Sequence, residues 1–259
     1  MNSQAKAWAL SLFQKSPLKQ RKLEKITLMI GKDYSGKVCL DIGSDNGVIS
    51  LLLRERGGEW HSADISEETV LSIQSLVEDR VYKIDDRSTP FVDNQFDLVV
   101  IVDFLEHIES DQEFIKEMYR IIKPNGNLVI NVPNPKEGIL RKLKNYIGQT
   151  DKAHGHLRAG YTQSTLCKLL ENFFQIQETH SYSRIFSELI DTLITGALDI
   201  LKGKRGQKGT VITGQDLNKM QKSFKIYSYL SPIIFFFVKL DALVPFMHGN
   251  MLIVKAKRL

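Results

Sequence analysis

The chain has 259 residues, of which 42% are apolar and 25% charged, close to globular averages, which excludes a fibrous or mostly disordered chain. Its net charge of +5 is unevenly spread: residues 1–36 carry seven basic and two acidic side chains, 37–135 carry nine and nineteen, and 136–259 carry nineteen and nine. An acidic middle between basic flanks points either to an anionic partner for the flanks, such as a phospholipid surface, a phosphorylated substrate or nucleic acid, or to a merely solvated surface.

Residues 1–36 are expected to form a helical extension, and they lack the uninterrupted apolar run and small-residue cleavage site of a signal peptide. From Lys37 to Val132 short β-rich runs alternate with helical patterns, the mark of βαβ units and a mainly parallel sheet. KVCLDI (37–42), EWHSAD (59–64), VYKID (81–85), FDLVVIV (96–102) and NLVINV (127–132) read as five strands, the fourth apolar enough to be buried on both faces. Between them, a helix opens at Gly47 and stops at Gly57-Gly58, Ser66 caps a second with Glu67 and Glu68 in its first turn, and Ser110 caps a third. Lys123-Pro124-Asn125-Gly126 reads as a turn. Thr162–Phe173 reads as a helix, and 175–182 and 251–258 as further strands.

The intervening segment is too long for an ordinary connection, so 184–247 is expected to be a functional insertion, with 37–183 plus 248–259 as the main domain. Ile185 to Leu201 has apolar residues at helical spacing, followed by the basic stretch Lys202, Lys204, Arg205 and Lys208. PIIFFFV (232–238) is far shorter than the ~20 apolar residues of a bilayer span. Two readings of the insertion stand: a cap over the substrate of a soluble enzyme, or a lid lying in an anionic membrane interface without crossing it.

The most informative run is VCLDIGSDNGVIS (38–50), a strand ending in Asp41 and turning through Gly43, Ser44, Asp45, Asn46 and Gly47 into a helix. Glycines let a backbone pass close to a ligand, and a helix start offers free N–H groups. Asp64 ends the next strand, followed by Ile65, where nucleotide-binding α/β folds place a carboxylate for ribose hydroxyls; Asp85 ends the third and is followed by Asp86. Three acids thus gather at the carboxyl ends of three successive strands. A nicotinamide-binding reading is disfavoured, because G-S-D-N-G places an acid where the dinucleotide fingerprint needs room for a diphosphate.

With these residues the chain resembles the class I S-adenosylmethionine (SAM)-dependent methyltransferases, in particular the broad group with a hydrophobic-D-x-G-x-G-x-G pattern. The resemblance covers about 37–180 and takes in 84–100, FLEHI (104–108), IIKPNGNLVI (121–130) and 155–170. It departs at Asp45, which replaces the middle glycine, although Asp tolerates left-handed backbone better than most residues. The resemblance implies a Rossmann-like, doubly wound seven-stranded sheet of order 3-2-1-4-5-7-6. It also implies SAM as cofactor, with Asp41, Gly43, Ser44 and Gly47 around its methionine end, Asp64 and Ile65 at the ribose, Asp85 and Asp86 at the adenine, and Asp103 bordering the reacting centre. A side chain at Gly43 is expected to fill the cofactor's space and leave the fold intact.

SAM is already activated, so the site chiefly aligns a nucleophile, and a hydroxyl acceptor gains from a general base. His107, His154 and His156 are the candidates, with local packing as the other reading of His107; Arg158 and Tyr161 are candidates for the acceptor pocket. Asp103, Glu106 and His107 also resemble a metal set of quinone-pathway O-methyltransferases, but Glu-His is common here in metal-free members, and no metal is expected. The place after strand four reads VDFLEH rather than the Asn/Asp-Pro-Pro-aromatic motif of amine-methylating members. An oxygen or carbon acceptor on a small molecule, glycan or lipid is therefore expected, in the reducing cytoplasm that only two cysteines, Cys39 and Cys167, suggest, at or near the inner face of a membrane. A SAM-binding scaffold with the insertion as interaction module is the alternative; RNA methylation ranks lower, since no nucleic-acid-binding module is recognisable and no nucleic-acid partner is expected.

Overall fold

The computed structural model describes residues 3–135, 155–202 and 214–259. Its strands are β1 (Val38–Ile42), β2 (Glu59–Asp64), β3 (Val81–Lys83), β4 (Phe96–Val102), β5 (Ile122–Pro133), β6 (Phe174–Tyr182) and β7 (Met251–Arg258). They form one sheet in the order β3-β2-β1-β4-β5-β7-β6, parallel from β3 through β5, with β7 antiparallel to both its neighbours. The implied seven-stranded order is the one observed.

Period-two alternation divides the side chains between two cores. Leu40, Ile42, Val99, Ile101, Leu128, Ile130 and Val254 face one side of the sheet, under helix α5 (Asp111–Ile121) and α6 (Gln163–Leu170). Cys39, Leu98, Val100, Val129 and Ile253 face the other, under α3 (Val48–Arg54) and α2 (Pro17–Ile30), with α1 (Ser3–Lys15) before it. Every residue of β4 except Asp97 is buried, as its apolar run predicts. Within the N-terminal extension, α2 starts at Pro17, capped by the Ser16 hydroxyl, and buries Ile26 and Met29 in the second core.

Ser66 caps α4 (Glu67–Val77) as expected, accepting from the Thr69 amide, and Thr162 caps α6 in the same way. Two local expectations are corrected. Ser110 sits at the N-cap of α5 but makes no capping bond; its hydroxyl accepts from Arg87 Nε at 3.2 Å instead. Lys123-Pro124-Asn125-Gly126 does not separate helix from strand, because β5 already pairs at Ile122 with Phe96 and resumes at Asn127 with Leu98, so these residues bulge within the strand, with Asn125 at φ 65°.

In the insertion, α7 (Ile185–Lys202) covers the amphipathic run, and α8 (Gly214–Lys239) leads into a 3-10 turn (Leu240–Leu243). The seven-residue count at 232–238 is also corrected: Pro232 lies inside α8, and Phe224–Leu243, 20 residues, is long and apolar enough to cross a membrane by length and composition.

Candidate active site

β1 ends in a carboxylate completely enclosed by the protein. Asp41 accepts from the hydroxyls of Ser44, Ser50 at 2.5 Å and Ser62 at 2.7 Å, with Arg54 Nη1 3.7 Å away. Burial pushes its pKa up, against the pull of those hydroxyls and of Arg54. Asp41 and the side chain of Ser44 thus brace the loop from beneath.

The loop glycines are also explained by the protein's own backbone. Gly43 has φ 81°, and a Cβ there would lie 2.3 Å from the Val102 carbonyl oxygen; Gly47 has φ 80°, and a Cβ would lie 2.8 Å from Ile73 Cα. The first turn is thus pressed against the end of β4 and the middle of α4, which corrects the expectation that a side chain at Gly43 would trouble only the cofactor. Asp45, at the departing position, adopts φ 53°, as an Asp can, and pairs with Lys19 Nζ at 3.2 Å. Burial acts to raise its pKa, but the Lys19 and Lys22 ammoniums outweigh it and hold the carboxyl below its usual range.

At the end of β2, Asp64 is 7% exposed and accepts from the Ser66 amide at 2.8 Å. Burial lifts its pKa to about 6, with Asp45 and Asp41 adding to the rise. Ile65 is half-buried against the first core. Past β3, Asp85 folds back on its own turn: it accepts from the amides of Arg87 (2.8 Å) and Ser88 (2.6 Å) and from the Ser88 hydroxyl (2.9 Å), and these backbone bonds lower its pKa. That occupation argues against Asp85 as a direct adenine acceptor and leaves the half-buried Asp86 beside it as the better placed carboxylate.

Beyond β4, Asp103 has φ 47° and a side chain 30% exposed. It accepts from Asn131 Nδ2 at 2.8 Å and forms a close ion pair with Lys22; Asn131 Oδ1 in turn accepts from the buried Tyr182 hydroxyl at 2.6 Å. Burial acts against the charge on Lys22, but Asp103 beside it raises the pKa above its ordinary value. Sequence reasoning missed Lys19 and Lys22. Their spacing on one helical face was visible, whereas their acidic partners lie 26 and 81 residues away.

The short 3-10 turn Leu105–His107 holds the candidate base. His107 Nδ1 lies 3.1 Å from the Gly155 carbonyl oxygen, and its ring meets that of His156 edge-on, centroids 4.7 Å apart. Glu106 is fully buried with neither carboxylate oxygen hydrogen-bonded, and burial pushes its pKa up to about 8, aided by the charge of Asp103. Glu106, His107 and His156 offer ligand atoms within 4.8 Å of one another, a set chemically suited to a divalent ion. His154 lies outside the described residues. Both candidates for the acceptor pocket are engaged within the protein: Arg158 pairs with Asp111 and donates to the Ile108 carbonyl at 2.9 Å, while the buried Tyr161 donates to Asp111 at 2.8 Å. They clamp their loop to the start of α5.

A seven-stranded sheet of this order, with acids collected at the carboxyl ends of β1 to β4, is the Rossmann-like α/β fold shared with solved SAM-dependent methyltransferases. Residues 40–130 match the family described as a methyltransferase domain. Among curated relatives, the ubiquinone biosynthesis O-methyltransferase of Rickettsia canadensis is 26% identical over 189 residues, 70% of this chain and 71% of that protein. The match to the Rickettsia akari protein of the same name, 26% identical, covers 43% of this chain and only 46% of that relative, about half its length. Among solved structures, a SAM-dependent methyltransferase from Archaeoglobus fulgidus superposes with TM-score 0.57 at 18% identity, covering 93% of both chains. Phosphoethanolamine N-methyltransferase 2 of Haemonchus contortus, in complex with SAM, superposes with TM-score 0.56 at 19% identity, covering 92% of this chain and 52% of that one.

Proposed function

We propose that the chain transfers the methyl group of SAM to an oxygen of a small-molecule acceptor, with a carbon acceptor as the runner-up. The observation that carries this is Asp64: a buried carboxylate at the end of β2, one oxygen anchored by the Ser66 amide, beside a glycine turn and further acids on the same edge. In this reading Asp64 and Ile65 take the ribose, the Gly43–Gly47 loop the methionine end, Asp86 the adenine side, and Asp103 borders the transferred methyl. Lys22 and Asn131 orient Asp103, and Asp41 and Ser44 hold the loop. Bound SAM supplies an activated methyl carbon. His107 and His156 stand beside one another for the acceptor's proton, and Nδ1 of His107 is oriented by the Gly155 carbonyl.

The names of the relatives favour a hydroxylated aromatic acceptor of the kind met in ubiquinone biosynthesis, and a lipid-linked or glycan acceptor fits the same reading. In this proposal 37–183 with 248–259 is the catalytic domain, 1–36 its helical cover, and 184–247 the lid, working in the cytoplasm at the inner face of a membrane. The test is S-adenosylhomocysteine formation on a panel of catechols, quinols and sugars, paired with calorimetric SAM titration. Turnover on a hydroxylated aromatic is expected; SAM binding without turnover on any acceptor supports a scaffold. Chelation belongs in the same experiment. Turnover unchanged by EDTA is expected, whereas a loss restored by Mg²⁺ assigns an ion to Glu106, His107 and His156.

A further inference from the structure

The outer face of α8 is apolar where a soluble helix is polar. Ile226, Tyr229, Ile233 and Phe236 follow one another at spacings of three and four residues, with Tyr229 83% and Phe236 61% exposed, and the bare surface continues through Leu243 to Phe246, 79% exposed. The opposite face of the same helix is packed: Ile234 and Val238 are buried, the Ser231 hydroxyl donates to the Lys15 carbonyl, and Arg21 donates to the Val238 carbonyl. A helix apolar on both its packed and its outer face has an unburied half that needs a cover.

Charge identifies the cover. Lys225 and Lys239 are exposed at the two ends of the stripe, and 202–225 holds seven basic residues against one acid, Asp216. An apolar stripe ended by exposed lysines suits a surface apolar at depth and anionic at its rim. A two-fold pairing of two copies through this stripe would bring Lys225 and Lys239 of both copies together and is electrostatically opposed. A crossing helix is also opposed. Asp241, within the apolar stretch, is fully buried and accepts from the amides of Arg184 and Phe186 and from the Ser187 hydroxyl, which fastens that end of the stretch to the protein.

We propose that the outer face of α8 and the turn after it seat in the headgroup–acyl boundary of an anionic bilayer, so that the enzyme lies on the membrane and does not span it. This rests on the membrane placement in the proposed function and deepens it, on residues separate from the methyl-transfer site. The test is flotation of the full chain with phosphatidylglycerol-containing vesicles and with pure phosphatidylcholine vesicles, at low and high salt, for the wild type and for a variant carrying Ile233→Glu and Phe236→Glu. Both positions are exposed, and calorimetric SAM binding reports separately on the fold and on the cofactor site. The expected result is binding to anionic vesicles that weakens at least tenfold in high salt, on neutral lipid and in the variant, while SAM binding is unchanged. Absence of wild-type binding at low salt overturns the proposal, as does a variant that floats like the wild type. A dimer in light scattering that the variant dissociates, without vesicle binding, assigns the face to a second copy and overturns it as well.

Discussion

At Asp64 the chemistry of the cofactor site reduces to one ionisation. On the proposed reading ribose hydroxyls donate to the charged carboxylate, so SAM binding favours ionisation, whereas burial holds the pKa up to about 6. SAM affinity is therefore expected to be full above about pH 6 and to fall toward about tenfold per unit as pH drops below it, since binding must then expel a proton. Asp64→Ala should remove about 2–3 kcal/mol of SAM affinity and flatten that dependence, both read by calorimetry across pH. Gly43 behaves differently. Gly43→Ala meets the Val102 carbonyl at 2.3 Å in left-handed backbone, so its cost falls on stability first, by more than the ~1–3 kcal/mol of backbone strain alone, measurable by urea unfolding. Asp41→Ala should likewise destabilise the fold by about 3–5 kcal/mol, because Arg54 and three hydroxyls lose a buried partner. The acids and glycines were legible in the sequence because their types and spacing are local. Which acid faces a ligand and which braces the loop was not, since Asp41 is answered by Ser62 and Asp85 by its own turn, and a one-dimensional pattern shows neither.

Among the elements, α2 decides how the site is covered. It reaches the turn after β1 through Lys19 to Asp45 and the end of β4 through Lys22 to Asp103, yet these ion pairs are partly exposed, and pairs of that kind contribute only ~0–1 kcal/mol each. Ile26, fully buried against the second core, is a different case: truncation of a buried Ile costs ~2–5 kcal/mol. Ile26→Ala should therefore destabilise the protein more than Lys19→Ala and Lys22→Ala together, a ranking that chemical denaturation checks. Strands such as β4 were legible because an unbroken apolar run admits few alternatives, and α7 because its apolar period is helical. The seat of α2 on the sheet was not legible, since an amphipathic helix does not name its partner. The bulge at Lys123–Gly126 was missed because its residues are those of a true turn, and only pairing with β4 keeps them in a strand.

At the scale of the whole molecule, the insertion is a long detour between two adjacent strands. β6 ends at Tyr182 paired with Met251 of β7, and just beyond, the Asn250 amide donates to the Ser183 carbonyl at 2.8 Å, so the two ends of the detour are already joined. The sheet needs β7, because its Leu252, Ile253 and Val254 are buried and each contributes roughly 1.5–3 kcal/mol by burial, a large part of a typical stability of about 5–15 kcal/mol. It does not need the residues between the strands to the same degree. Excision of 185–247 with a short glycine-rich closure shortens the loop, which lowers its closure entropy, and leaves every strand pairing in place. The losses include the contacts of Ile234 and Val238, the partners of Arg21 on Val238 and Asp241, the Ser231 bond to Lys15 and the bonds of Arg184 to Asp241 and Met247. The excised protein is therefore expected to unfold cooperatively at a lower temperature, to keep SAM affinity within a few-fold of the full chain and, on the proposed membrane reading, to lose methyl transfer to lipid-linked acceptors. Calorimetry on the purified deletion checks the first two, and loss of SAM binding in a protein that still melts cooperatively would show that the detour is part of the cofactor site and not a lid over it.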